Sequence, residues 1–136
     1  MRRFVFTAAL SAALACLSLP LRAANLSAKV PFDFYVDKTA LPAGEYNLEI
    51  GQRGLMVVRN ALGKGAAITI TLAAERADSN TQGLLVFHKI GDEYFLNQVW
   101  APHSSEGCEL RQSRREKEAY ARASRTTVAS VPARHE

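Results

Sequence analysis

The stretch "LLVFHKIGDEYFLNQVW", residues 84–100, decides the fold. It is the densest apolar and aromatic run outside the N-terminal segment. Gly91-Asp92 interrupts it, and a Gly-first pair between two apolar runs suits a two-residue type II′ turn. That turn sets a register. Ile90 pairs with Glu93, Lys89 with Tyr94, His88 with Phe95 and Phe87 with Leu96. Farther from the turn, Val86 meets Asn97, Leu85 meets Gln98 and Leu84 meets Val99. Directly opposed residues share a face, so both faces of the hairpin are largely apolar near its middle. A strand pair covered on both sides belongs inside a domain.

Working outward, alternation with period two continues upstream. In "KVPFDFYV", Val30, Phe32, Phe34 and Val36 share one face, and Pro31 marks a strand start or an edge. "DKTALPAG" reads as a loop punctuated by Pro42 and Gly44. In "EYNLEI", Tyr46, Leu48 and Ile50 point inward and Glu45, Asn47 and Glu49 outward. "GQRG" turns the chain into "LMVVRN", and Gly63 and Gly65 mark the next turn. "AITITL" sets Ile68, Ile70 and Leu72 on one face against Thr69 and Thr71, and threonine favours a strand over a helix. "AERADSNTQG" is a polar loop. Downstream, residues 106–124 hold strong helix formers around Arg114 and Glu118, with a poor apolar stripe; they read as a basic surface helix. Residues 125–136 read as a disordered tail. The expected fold is all-β: a small antiparallel sandwich or partly open barrel of about six strands over residues 24–105, with that C-terminal helix on its surface.

The first 23 residues have a different purpose. Arg2 and Arg3 precede an apolar run over residues 4–19, Pro20 ends it, and the small residues Ala23 and Ala24 follow. This is the layout of a secretory signal peptide cleaved after Ala23. A retained anchor is a rival, although the run is short of the ~20 apolar residues a span needs. Lipidation at Cys16 within "ALAC" is another, and would tie the chain to a membrane. The expected destination is periplasmic or extracellular, through the general secretion route. Three of the 17 basic side chains, and none of the 13 acidic ones, precede Ala24, so the rest has a net charge of +1. The basicity is thus largely a targeting feature, and nucleic acid is not an expected partner. After cleavage Cys108 is the one remaining cysteine, which excludes an intramolecular disulfide and leaves an intermolecular one open.

Candidate chemistry is sparse. His88 lies on an apolar strand face without an evident orienting partner. His88, His103 and Cys108, with Glu106, are metal ligands by type but match no compact motif. Ser104 and Ser105 neighbour His103, yet no nucleophile elbow is present. "LGKGAA" lacks the spacing of a phosphate loop and reads as a hairpin turn around Lys64. Asp92 and Glu93 are adjacent at a strand start, unsuited to a glycosidase pair. Arg111, Arg114, Arg115, Lys117, Arg122 and Arg125 offer a basic surface to an envelope protein or an anionic envelope component. No cofactor, metal or catalytic residue is expected.

"VPFDFYVDKTALPAGEYNLEI", "LVFHKIGDEYFLNQVW" and "ELRQSRREKE" together resemble a family of short, secreted, β-rich proteins found mainly in Acidobacteria. The resemblance covers residues 30–118 and implies export and a β-rich fold. The family has no characterised activity, so it assigns no role to any residue. The expected function is that of an exported non-catalytic domain of the cell envelope, with an interaction or structural role. The alternative is a carrier of a small apolar ligand in a cavity lined by Phe87, Tyr94, Phe95 and Trp100. A metal- or thiol-dependent enzyme using His88, His103 and Cys108 is the third reading.

Overall fold

The structure, a computed structural model, describes residues 24–77, 82–123 and 125–135. The expected signal peptide and Cys16 lie outside the described residues, as does the middle of the "AERADSNTQG" loop.

Ten strands and one helix follow in chain order: β1 (Ala24–Val30), β2 (Phe34–Val36), β3 (Thr39–Leu41), β4 (Gly44–Ile50), β5 (Leu55–Asn60), β6 (Ala66–Glu75), β7 (Gly83–Ile90), β8 (Glu93–Trp100), β9 (Glu106–Leu110), α1 (Arg114–Arg122) and β10 (Thr126–His135). Eight strands close a barrel in the order β1, β4, β5, β6, β9, β8, β7, β10 and back to β1, and each of these pairings is antiparallel. β2 and β3 form an added hairpin, held to β8 by one parallel bridge between Tyr35 and Phe95. The all-β class is as expected, but the expected sandwich of about six strands is a closed barrel. Two of the additional strands come from segments read as helix and tail. "EGCEL" is β9, with Cys108 and Leu110 inward, and the helix is only its downstream neighbour. "TTVASVPARH" is β10, which sends Val131 and Ala133 into the core. Its short side chains and Pro132 hide the alternation.

The hairpin of residues 84–100 follows the expected register for four pairs from the turn, Ile90–Glu93 through Phe87–Leu96. Gly91 has φ +61 and Asp92 does not share the positive φ, as a type II′ turn requires. A bulge then shifts the ladder by one: Val86 faces Gln98, Leu85 faces Val99 and Leu84 faces Trp100. The extra residue turns Val99 into the core and Gln98 out of it, so no unpaired amide is buried there.

At one barrel end, Phe34 lies edge-on to Tyr46 and Phe87, while Phe32 stacks on Tyr94 with ring centroids 3.8 Å apart. Val30, Phe32, Phe34 and Val36 do face one core, but Val30 ends β1, Phe34 and Val36 belong to β2, and Phe32 lies in the break between them. The Tyr46 hydroxyl donates to the Pro42 carbonyl and Asp33 accepts from the Ala43 N–H at 2.8 Å, which fixes the Leu-Pro-Ala-Gly segment. Part of that expected loop is β3.

β6 turns its large aliphatic side chains away from the barrel. Ala67 and Thr71 are buried in the barrel, whereas Ile68, Ile70 and Leu72 face outward. A one-residue change of register exchanges the two faces of a strand. Here the turn before β5 sets the choice. Gly54, at φ +75, brings its carbonyl within 2.9 Å of Thr71 Oγ1, and a Cβ on it would meet the Thr71 carbonyl at 2.3 Å. Thr71 is therefore held inside, next to small Ala67, where Met56 and Tyr46 already fill the volume.

β10 tests the closure. Val131→Asp is expected to cost at least about 3 kcal/mol, because it buries a carboxylate among apolar neighbours. Removal of residues 126–136 is expected to abolish cooperative urea unfolding followed by circular dichroism. A disordered tail would leave both curves unchanged.

Candidate functional site

Two surfaces of the barrel carry more than packing: the seam under α1 and the outer face of β5 and β6. The seam begins at Ser113, whose Oγ accepts from the Glu116 N–H at 3.2 Å and caps the helix. Ser-Arg-Arg-Glu is half of a capping box. The Glu116 carboxylate does not turn back to Ser113; it reaches His88 Nδ1 at 2.9 Å. A carboxylate there can only accept, which places a proton on Nδ1. Ser113, Glu116 and Ala119 are the buried stripe of this segment, and Ala119 packs with Ile90 and Phe95 on the outside of the barrel. Arg115 adds a second fastening. It donates to Glu93 at 2.7 Å and lies 4.5 Å over the ring of Tyr35, which itself stacks on Phe95. The hydrogen bond to Glu93 is the main cause holding Arg115 above its ordinary pKa; desolvation opposes it.

His88 therefore has the orienting partner that its own strand does not reveal. The pair is nevertheless covered: the Glu116 side chain is 5% exposed and that of His88 25%. The 350 Å³ cleft along this seam is lined by Ile90, Gly91, Asp92, Glu93, Ala119, Arg122 and Ala123, and by neither member of the pair. The arrangement fits a clasp between helix and barrel.

The other candidate ligands do not come together. His88 points outward from β7, Cys108 inward from β9, and His103 lies in the intervening loop at φ +57. Among the described residues, no three His, Cys, Asp or Glu side chains are grouped as a metal ion requires. Burial pushes the Cys108 thiol above its ordinary pKa, more than the hydrogen bond with Thr71 lowers it. Burial and a raised pKa both make a thiol a poorer nucleophile. Ser104 spends its hydroxyl within the loop, donating to the Glu106 carbonyl and accepting from the Glu106 N–H. Lys64 sits in the β5–β6 turn, closed by Asn60 and Gly65. Glu93 is engaged by Arg115.

The four aromatic residues expected to line one cavity are dispersed. Phe87 is inside the barrel, Tyr94 at its end against Phe32, and Phe95 outside under α1. Trp100 is outside as well, with Arg76 5.0 Å from its ring centroid. Tyr94 borders a 430 Å³ cleft beside β2 and β3, which the other three do not reach. A 650 Å³ cleft lies between β1, β10 and Pro102 and contains none of the four.

The outer face of β5 and β6 carries large aliphatic side chains. Leu55 is 45% exposed, Ile68 67%, Ile70 64% and Leu72 48%. Leu55 pairs with Ile70, and Val57 with Ile68, so these residues form one continuous strip. Four large aliphatic side chains exposed side by side make a contiguous apolar patch, and such patches are often functional. Arg59, paired with Glu49 at 3.2 Å, borders one end, and Glu109, opposite Leu72, borders the other. Perfect alternation in "AITITL" announces an amphipathic strand but not which face meets the core.

No protein-family profile matches the chain, nor does any curated protein or solved structure.

His88→Ala should lower stability by about 2 kcal/mol in urea titrations, since it leaves a buried carboxylate unpaired. The same substitution in a Glu116→Leu background should cost markedly less, and equal costs would show that the two residues are uncoupled. Cys108 should react slowly with a thiol reagent at pH 7 and quickly in denaturant, and give no disulfide-linked dimer on non-reducing gels. Its raised pKa also has a pH signature. Both states hold a neutral thiol below about pH 8.5, and above it the unfolded chain ionises first, so this group lowers stability as pH rises. Cys108→Ala should remove that alkaline loss.

Proposed function

We propose that the chain is an exported, non-catalytic β-barrel module of the bacterial cell envelope, acting through its surface. The observation that carries this reading is the exposed apolar strip on β5 and β6. A barrel with Tyr46, Phe87 and Leu48 buried inside it favours a surface role over the carriage of an apolar ligand. The dispersal of Phe87, Tyr94, Phe95 and Trp100 favours it again. Export rests on the signal-peptide layout of residues 1–23 and on the resemblance to short secreted proteins of Acidobacteria. Among the described residues no helix is long and apolar enough to cross a membrane. Glu45, Glu49 and Arg59 lie on the outside of the barrel and apolar groups inside, the reverse of a membrane-spanning barrel.

The basic helix is the weaker candidate surface. Arg114 and Arg115 are engaged by Glu118 and Glu93, and Arg122 donates to the Glu118 carbonyl.

Photo-crosslinking in expressing cells tests the proposal. A photoreactive residue at Ile70 should give a discrete adduct. The same residue at Val128, 65% exposed on β10 across the barrel from β6, should give none. No adduct at Ile70, or equal labelling at both positions, would overturn the assignment of this surface.

A further inference from the structure

We infer that the strip on β5 and β6 is covered by a second copy of this chain, related by a twofold axis passing between Ile68 and Ile70. The inference deepens the surface-module reading and rests on it.

Composition is the first argument. A standard interface has an apolar centre and a polar rim. The strip has the composition of such a centre, and Glu49, Arg59 and Glu109 at its borders have that of a rim. The second argument is that the chain offers this surface once. Its other exposed large apolar side chains among the described residues are Leu62, in the turn at one end of the same hairpin, and Tyr120 and Val128 on separate elements. A head-to-tail contact needs a second matching surface, and would leave one strip uncovered at each end of the assembly. A twofold contact covers both strips at once.

Charge decides the register. Arg59 pairs with Ala66, one outward position beyond the Val57–Ile68 pair, whereas Glu109 pairs with Leu72, one outward position beyond Ile70 on the opposite side of β6. These positions lie diagonally across the strip, about equally far from a point between Ile68 and Ile70. A twofold axis there sets Arg59 of one copy against Glu109 of the other, twice. Glu109 is exposed and has no ion pair within the chain among the described residues, so the second copy gives it one. The same rim charges disfavour a lipid surface, which would have to bury Arg59, Glu49 and Glu109 together.

Sedimentation velocity on the chain from Ala24 onward provides the test. The expected result is twice the monomer mass at protein concentrations above about 10 μM. Ile68→Asp with Ile70→Asp should give a monomer with an unchanged circular dichroism spectrum, because both positions are solvent-exposed in the single chain. Arg59→Glu and Glu109→Arg should each weaken association roughly tenfold or more, and the double exchange should restore it. A wild-type monomer at ~200 μM, far above a micromolar Kd, would overturn the inference, and so would a dimer indifferent to the two aspartates. Should the chain prove monomeric while Ile70 crosslinks to a different protein, the dimer falls and the surface-module reading stands.

Discussion

An open sheet edge presents a row of unpaired N–H and C=O groups, and closure of the barrel is how this chain removes them. Closure depends on β10. It enters between β1 and β7, pairing with Leu26, Ser27 and Ala28 on one side and with all eight residues of β7 on the other. β8 completes the ring by dividing its free edge. Gln98, Val99 and Trp100 pair with β9, and Phe95 bridges to β2. The bulge in β8 belongs to the same solution, since it rotates Val99 inward where the ladder passes from one neighbour to the other.

Closure also limits what fits inside. An eight-stranded barrel has an interior just wide enough for side chains to fill. Tyr46, Phe87, Met56 and Leu48 are among the buried side chains that fill it, and the strand beside Met56 and Val58 contributes Ala67 and Thr71 instead of its isoleucines. The strip on β5 and β6 is thus the outward consequence of an interior already full. Polar Thr71 tolerates burial because the Gly54 carbonyl accepts its hydroxyl proton.

The seam under α1 shows a different economy. The helix has almost no apolar stripe, and its burial relies on small and polar groups: Ser113, Glu116 and Ala119. A buried carboxylate is tolerable there because His88 meets it from the barrel, and Arg115 anchors the adjacent turn to Glu93 and Tyr35. Residues that looked like separate curiosities in the sequence, a lone histidine on an apolar strand and a charge-rich helix, are two sides of one contact.

The sequence by itself determined what depends on neighbours along the chain. Alternation announced β2, β4, β6 and the 84–100 hairpin but only the end of β1, and flanking turns marked β5; Gly91-Asp92 fixed the hairpin turn and its first four pairs. Helix composition near Arg114 and Glu118 announced α1, and the Ser113–Glu116 capping spacing was present as a signal for its true start. Tertiary structure alone decided what depends on distant partners. Short side chains and a proline made β10 resemble a tail until β1 and β7 gave its backbone groups partners. Period two carries no sign, so only the turn at Gly54 and the filled interior could send Ile68, Ile70 and Leu72 outward. His88 acquired its role from a residue 28 positions away, because a strand reveals the spacing of its own faces and not the identity of what will cover them.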